Sequence, residues 1–349
     1  MLNFSQGKKI NMLDRTLRET NLVRNYRKGV AAGRIRFPKY IFLEATNACN
    51  LSCIHCNRPL MKREVNYMDL NLFKKIMDEV GNKVLTLDLS GWGEPFSHPD
   101  IFEMIEYAKN KGVREVIGNT NITSLNNAII EKILTSKLDT LIFSIDAASE
   151  STYQKIRIGS DFHVIHNNIA QYFASKKQLK KKGPVTVAQI ILMKTNVHEA
   201  KAFKKKWNNI FDVVRISPMA SLGQLRNSYQ NLSLENHGDQ TTHCSYPWTS
   251  MFICWNGIVT FCMNDIDGDI PLGNLNEQSL YEVWISDNFK ILRDNLRNKI
   301  YTRFCRNCQE WKMCKPLTYT KTLLMELLPF QYVSLAKRIH MRLSKGILS

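Results

Sequence analysis

Within eight residues, Cys49-Asn50-Leu51-Ser52-Cys53-Ile54-His55-Cys56, the chain gathers three thiols. Three thiolates on one short loop can ligate three irons of a four-iron, four-sulfur cube and leave the fourth iron open to another ligand. A zinc ion could use the same thiols, although His55 is then the only adjacent fourth donor. Nothing in ordinary packing explains three thiols gathered so closely. After Cys56 no cysteine appears until Cys244; Cys254, Cys262, Cys305, Cys308 and Cys314 follow, which defines a second and separate candidate site. Disulfides explain this poorly, because no export signal is legible and the cytosol keeps thiols reduced.

The thiol loop needs a rigid element ahead of it. β-rich runs at 40–46, 84–90, 114–118, 140–146, 185–192 and 213–217 alternate with amphipathic helical stretches near 69–80, 100–111, 126–135, 162–181 and 196–208. Alternation of that kind predicts parallel strands with crossover helices. Six such units are too few for a complete eight-stranded barrel of ~250 residues, so the expected fold is α/β, a partial (β/α)6 TIM-like barrel over 39–220, open on one side. Residues 221–242, rich in Asn, Ser, Gln and Gly, read as a linker. A cysteine-rich α+β module follows over 243–318. It contains a hairpin centred on Asn256-Gly257 and one helix over 279–298. A basic extension over 1–38 and a basic amphipathic tail over 319–349 complete the division.

Active sites of such barrels form at the C-terminal ends of the strands. The candidates there are Gly91, Gly93 and Glu94 after the second strand, Asn121 after the third, and Ser144 and Asp146 at the fourth. Glycines at that edge let backbone approach a ligand closely. Ser144 and Asp146 could equally serve as turn or cap residues. Gln189, Asn196 and Glu199 surround the fifth strand, and Arg157 is a further candidate for a carboxylate contact.

The net charge of +17 raises the question of nucleic acid. Its basic runs, ten Lys/Arg in the first 39 residues and the stretch from Lys176 to Lys182, lack the interleaved aromatic residues of a base-stacking surface. No nucleic-acid partner is therefore favoured. No uninterrupted apolar run of membrane-spanning length occurs, and a cytoplasmic location is expected. The tail, with Leu323, Leu324, Leu327, Leu328 and Phe330 ahead of Lys337, Arg338 and Arg342, suits an interfacial helix on anionic lipid as well as a helix packed on the barrel.

The C-x3-C-x2-C spacing after a first barrel strand resembles the signature of the radical S-adenosylmethionine (radical SAM) superfamily. That resemblance implies one cluster held by Cys49, Cys53 and Cys56, with S-adenosylmethionine chelating the open iron and yielding a 5′-deoxyadenosyl radical. It also implies a flavodoxin- or ferredoxin-type electron donor. His55 stands where the family usually has an aromatic residue, and would pack beside the adenine. Ser90-Gly91-Trp92-Gly93-Glu94-Pro95 resembles the family's glycine-rich motif, with Glu94 on the methionine amino group. Thr120-Asn121 matches a Thr-Asn-Gly pattern except that Ile122 replaces the glycine, and Ser144 and Asp146 resemble residues near the ribose.

From Cys244-Ser245-Tyr246-Pro247-Trp248 through Asn256-Gly257 and Cys262 to Cys305-Arg306-Asn307-Cys308, the chain resembles the SPASM/twitch extension, which binds auxiliary clusters. Six cysteines cannot complete two fully ligated cubes, so one auxiliary [4Fe-4S] cluster on Cys244, Cys262, Cys305 and Cys308 is expected. Cys254 reads as a packed thiol, while Cys314 and a zinc ribbon remain alternatives. A fully ligated cluster is suited to accept an electron from a substrate radical. The expected activity is an oxidation of a carbohydrate, aminocyclitol or glycan precursor. Its rivals are a peptide-modifying maturase, for which the first 39 residues look too few to form a leader-gripping domain, and a non-catalytic iron–sulfur or zinc protein that binds nucleic acid.

Overall fold

The computed structural model describes residues 37–219, 231–234, 244, 246–305 and 308. Residues 1–36 of the basic extension, most of the expected linker, Cys314 and the tail lie outside them.

Six strands, β1 (Tyr40–Leu43), β2 (Thr86–Asp88), β3 (Glu115–Thr120), β4 (Thr140–Ser144), β5 (Val185–Leu192) and β6 (Val213–Pro218), pair in parallel in sequence order. Crossovers run through α1 (Leu70–Val80), α2 (Ile101–Asn110), α3 (Asn127–Thr135), α4 (Glu150–Ile156), α5 (Phe162–Gln178) and α6 (Ala200–Trp207). Alternate strand residues such as Leu141 and Phe143 join the core beneath these helices. Ile142 and Ser144 therefore take the other face, the barrel lumen. Helix starts follow capping chemistry: Asp69 accepts from the backbone N–H groups of Asn71 and Leu72, and Asn126 from that of Ile129. This is a partial barrel.

The sheet does not stop at the expected module boundary. β7 (Ser250–Ile253) pairs in parallel with β1, from Tyr40 opposite Ser250 to Leu43 opposite Ile253. β8 (Ile258–Thr260) and β9 (Pro271–Asn274) then add antiparallel strands, giving nine among the described residues. The Asn256-Gly257 turn joins β7 to β8, with Gly257 at φ 84°. Helix α7 (Tyr246–Thr249) leads into β7. Arg63 fixes the join from the barrel side. It forks onto buried Glu44 at 2.8 and 3.0 Å, and its Nε donates to the Ile266 carbonyl at 2.6 Å.

Two helical expectations are corrected. The helix over 279–298 is two helices, α8 (Leu280–Ile285) and α9 (Asp287–Arg297), because Ser286 leaves helical geometry at ψ 161° and its hydroxyl caps Phe289. Helix α4 was not anticipated; Ser149 caps its start. No helix of the described residues is long and apolar enough to cross a membrane.

Candidate active site

Beyond β1 the chain forms the loop that carries Cys49, Cys53 and Cys56. Ser52 and Ile54 donate to the Ile158 and Ile156 carbonyls at 2.9 and 3.0 Å, which ties the loop to the end of α4. Each thiol has a donor within reach. Asn121 Nδ2 lies 3.7 Å from Cys49 Sγ, Arg157 Nη1 3.6 Å from Cys53 Sγ, and the Arg58 backbone N–H 3.4 Å from Cys56 Sγ. Burial pushes the Cys49 thiol up and the Cys56 thiol up to about 11. Free of metal, those thiols hold their protons at neutral pH, and a bound cation is what would favour thiolate.

At Gly91 and Gly93 a side chain would strike the chain that leads into the cysteine loop. A Cβ at Gly93 would stand 2.3 Å from the Thr46 carbonyl oxygen and 2.6 Å from that of Ala48; at Gly91 it would stand 2.5 Å from Glu44 Cγ. Both glycines thus admit the backbone leading into the cysteine loop. The Glu94 N–H donates to the same Ala48 carbonyl at 2.8 Å. Glu94 itself is buried, with its carboxylate accepting from the Asn121 N–H at 2.7 Å and the Phe96 N–H at 3.4 Å. Burial pushes its pKa up to about 7, so a cation brought beside it would be strongly favoured.

Asn121 reaches from β3 across to the loop, donating to Asn50 Oδ1 at 2.8 Å. Ile122, in the place of the glycine, adopts φ 76° while fully buried. A β-branched residue is strained in that left-handed region, which is why glycine would suit the position. Asn168 Nδ2 holds its carbonyl at 2.9 Å.

Asp146, also left-handed at φ 64°, is fully buried. Its Oδ2 accepts from Arg157 Nη2 at 2.5 Å and lies 3.7 Å from His55 Nε2, while Oδ1 accepts from the Ile191 N–H at 2.8 Å. Asn196 and Glu199 serve this turn. Asn196 Nδ2 donates to the Asp146 carbonyl at 2.8 Å, and Glu199 accepts from the N–H groups of Ala148 and Ser149 at 2.6 and 3.2 Å. Ser144 lies at the end of β4, in register with Gln189, whose Oε1 accepts from Arg215 Nη1 at 3.1 Å. Sequence reasoning missed a pair in the lumen: Tyr40 Oη donates to Asp88 Oδ2 at 2.7 Å, and burial raises the Asp88 pKa. The only sequence signal was a lone acidic residue in an apolar strand.

Cys244, Cys262, Cys305 and Cys308 line a single recess of about 460 Å³, measured with its open mouth, together with Tyr246, Phe261 and Phe304. Asn264 lies against two of these thiols: its N–H is 3.4 Å from Cys262 Sγ and its Nδ2 is 3.7 Å from Cys308 Sγ. Thr302 Oγ1 donates to Cys305 Sγ at 3.2 Å. Cys254 stands apart, fully buried, its thiol pushed well above the ordinary range by burial and by Glu44. Aromatic rings span from the lumen toward the recess, Tyr40 to Phe42 at 4.4 Å and Phe42 to Tyr246 at 5.8 Å.

Two family models match the chain. The Radical SAM superfamily matches residues 43–205, and the SPASM iron-sulfur cluster-binding domain matches residues 244–309. The chain belongs to the radical SAM superfamily and carries a SPASM module. Among characterised relatives, the AdoMet-dependent heme synthase of Methanosarcina barkeri is 34% identical over 122 residues, 34% of each chain. This chain therefore spans only about a third of that relative. The antilisterial bacteriocin subtilosin biosynthesis protein AlbA of Bacillus subtilis is 23% identical, covering 88% of this chain and 74% of AlbA. In fold, Streptococcus suis SuiB bound to its precursor peptide SuiA aligns with TM-score 0.60 at 16% identity, covering 90% of this chain and 86% of SuiB. BtrN in complex with AdoMet and 2-DOIA aligns with TM-score 0.54 at 17% identity, covering 78% of this chain and 93% of BtrN.

The cofactors of this class are a catalytic [4Fe-4S] cluster, auxiliary iron–sulfur and S-adenosylmethionine, and the residues present suit them. Three thiols on one loop each have a polar donor, four more surround one recess, and Arg157 Nε and Trp92 Nε1 are buried without hydrogen-bond partners beside the loop and in the glycine-rich turn.

Proposed function

We propose that this radical SAM enzyme oxidises a hydroxylated or amino-bearing small molecule of the carbohydrate or aminocyclitol class. Cys49, Cys53 and Cys56 would hold the barrel cluster, and Cys244, Cys262, Cys305 and Cys308 a single auxiliary one. When bound, the barrel cluster with S-adenosylmethionine supplies a carbon radical for hydrogen abstraction, and the auxiliary cluster a sink for one electron. The chain's own residues do the rest. Glu94 offers a buried carboxylate to the methionine ammonium, and the adenine would pack beside His55. In the lumen, buried Asp88, half-buried Gln189 and exposed Arg215 present the acceptors and donors that a hydroxylated substrate needs.

The observation that carries this reading is the recess lined by four thiols while Cys254 is packed elsewhere. Four thiolates complete one cube and leave no open iron, so that site suits electron transfer rather than a second cofactor. Modification of a peptide is the second reading, favoured by the likeness to AlbA and to peptide-bound SuiB. Untargeted metabolite profiling of cells carrying the wild type or the Cys49→Ala/Cys53→Ala/Cys56→Ala variant separates them. The expected difference is a small polar compound that accumulates in the variant, two hydrogens heavier than the product it replaces. A change confined to a peptide would replace the first reading with the second.

A further inference from the structure

The contact of Arg157 with Cys53 goes beyond packing. From the C-terminal end of α4 the guanidinium reaches two groups at once, Cys53 Sγ at 3.6 Å through Nη1 and Asp146 Oδ2 at 2.5 Å through Nη2. Both residues are buried, Arg157 at 7% exposure and Asp146 at 0%. A full positive charge is thus held against one thiol of the loop by a carboxylate that is itself pinned by the Ile191 N–H. Asn196 fixes the Asp146 carbonyl, so the pair cannot drift.

From this geometry we infer that Arg157 is a positioning residue that sets the reduction potential of the barrel cluster, with Asp146 as its counterweight. The inference rests on the reading that Cys53 is a cluster ligand. One electron enters the cube and no bond forms or breaks, so the reduced cube carries one more negative charge than the oxidised one. A buried cation 3.6 Å from a ligand sulfur stabilises that extra charge, and a hydrogen bond to the sulfur acts in the same sense. The Asp146 carboxylate opposes it through the same guanidinium. Arg157 therefore raises the potential and Asp146 lowers it.

The test is an EPR-monitored redox titration of the anaerobic, fully loaded enzyme with dithionite. The barrel signal is the one absent from the Cys49→Ala/Cys53→Ala/Cys56→Ala variant. Arg157→Gln should lower the barrel potential by at least a tenfold change in the reduction equilibrium, about 59 mV for a one-electron couple. Asp146→Asn should raise it, and the auxiliary signal should stay in place in both. Equal potentials in the wild type and either variant would overturn the inference, as would shifts of the same sign. If Arg157→Gln assembles no barrel cluster, Asp146→Asn still decides, because a merely structural partner gives no upward shift. Should Cys53→Ala keep the wild-type iron content and barrel signal, the ligand reading fails instead, whatever the Arg157 variant does.

Discussion

Gly93→Ala should empty the barrel site while leaving the auxiliary one intact. The added methyl carbon would lie 2.3 Å from the Thr46 oxygen, 2.6 Å from the Ala48 oxygen and 2.8 Å from the Thr46 carbonyl carbon. All three are backbone atoms, so no side chain can swing away to make room. Ala48 adjoins Cys49, and its carbonyl also accepts the Glu94 N–H at 2.8 Å. Relief of the overlap therefore breaks that bond and moves the first thiol together. Overpacking of this kind costs about 1–3 kcal/mol, with two carbonyls and a lost buried hydrogen bond placing this site at the upper end. Gly118→Ala is the control, because its methyl group would meet Phe96 and Leu138 side-chain atoms at 3.2–3.7 Å, where small shifts suffice. The assay is iron and sulfide content of anaerobically purified protein. About eight irons are expected in the wild type and in Gly118→Ala, and about four in Gly93→Ala. A Gly93→Ala variant with full iron and unchanged thermal stability would show that the turn does not support the cysteine loop.

At the auxiliary site, Cys308→Ala should lose about half of the iron yet still release 5′-deoxyadenosine with dithionite and S-adenosylmethionine, whereas Cys254→Ala should keep all of it. Iron loss from the Cys254 variant instead would move the site. Glu94 gives a pH signature: with its pKa raised from the ordinary 4.5 to about 7, the stability it contributes is complete below pH 4.5 and lost as pH rises through 7. That interval amounts to about 3 kcal/mol at ~1.4 kcal/mol per unit. Thermal unfolding of the cofactor-free protein at pH 5 and pH 8 should therefore differ more for the wild type than for Glu94→Gln, and equal differences would refute the assignment.

Residue chemistry was legible wherever a position has few competing uses. Three thiols in eight residues point to a metal centre, and Asn-Gly between two apolar runs has one turn, which the structure shows between β7 and β8. What escaped was whatever depends on a partner distant in the chain. No local pattern announces that β7 will lie beside β1, about 210 residues earlier in the chain, because parallel pairing needs no turn and leaves no mark on either strand. The same holds for Arg63, an unremarkable basic residue until Glu44 and Ile266 close around it.

The glycine-rich turn shows how one position can have a second physical reason beside the one its family pattern implies. Glycine at 91 and 93 was read as room for a ligand, since the position lies at the C-terminal edge of a barrel strand. The space that a side chain would need there is taken by residues 44–48. Asn196 and Glu199 follow the same logic: both were marked as polar groups at the fifth strand, and both are spent on the turn that presents Asp146. A family pattern thus marks more than the atoms that meet the cofactor. Part of it marks the backbone that must come close before any cofactor can be held, and that part is recognised from what a Cβ or a methylene would strike. By this criterion Ile122 is the informative departure: it keeps the left-handed φ of the expected glycine, so the strand end retains its path while a buried side chain is added to the core. The strain at φ 76° is offset by that burial, which is why Asn121 can still reach both the cysteine loop and Glu94.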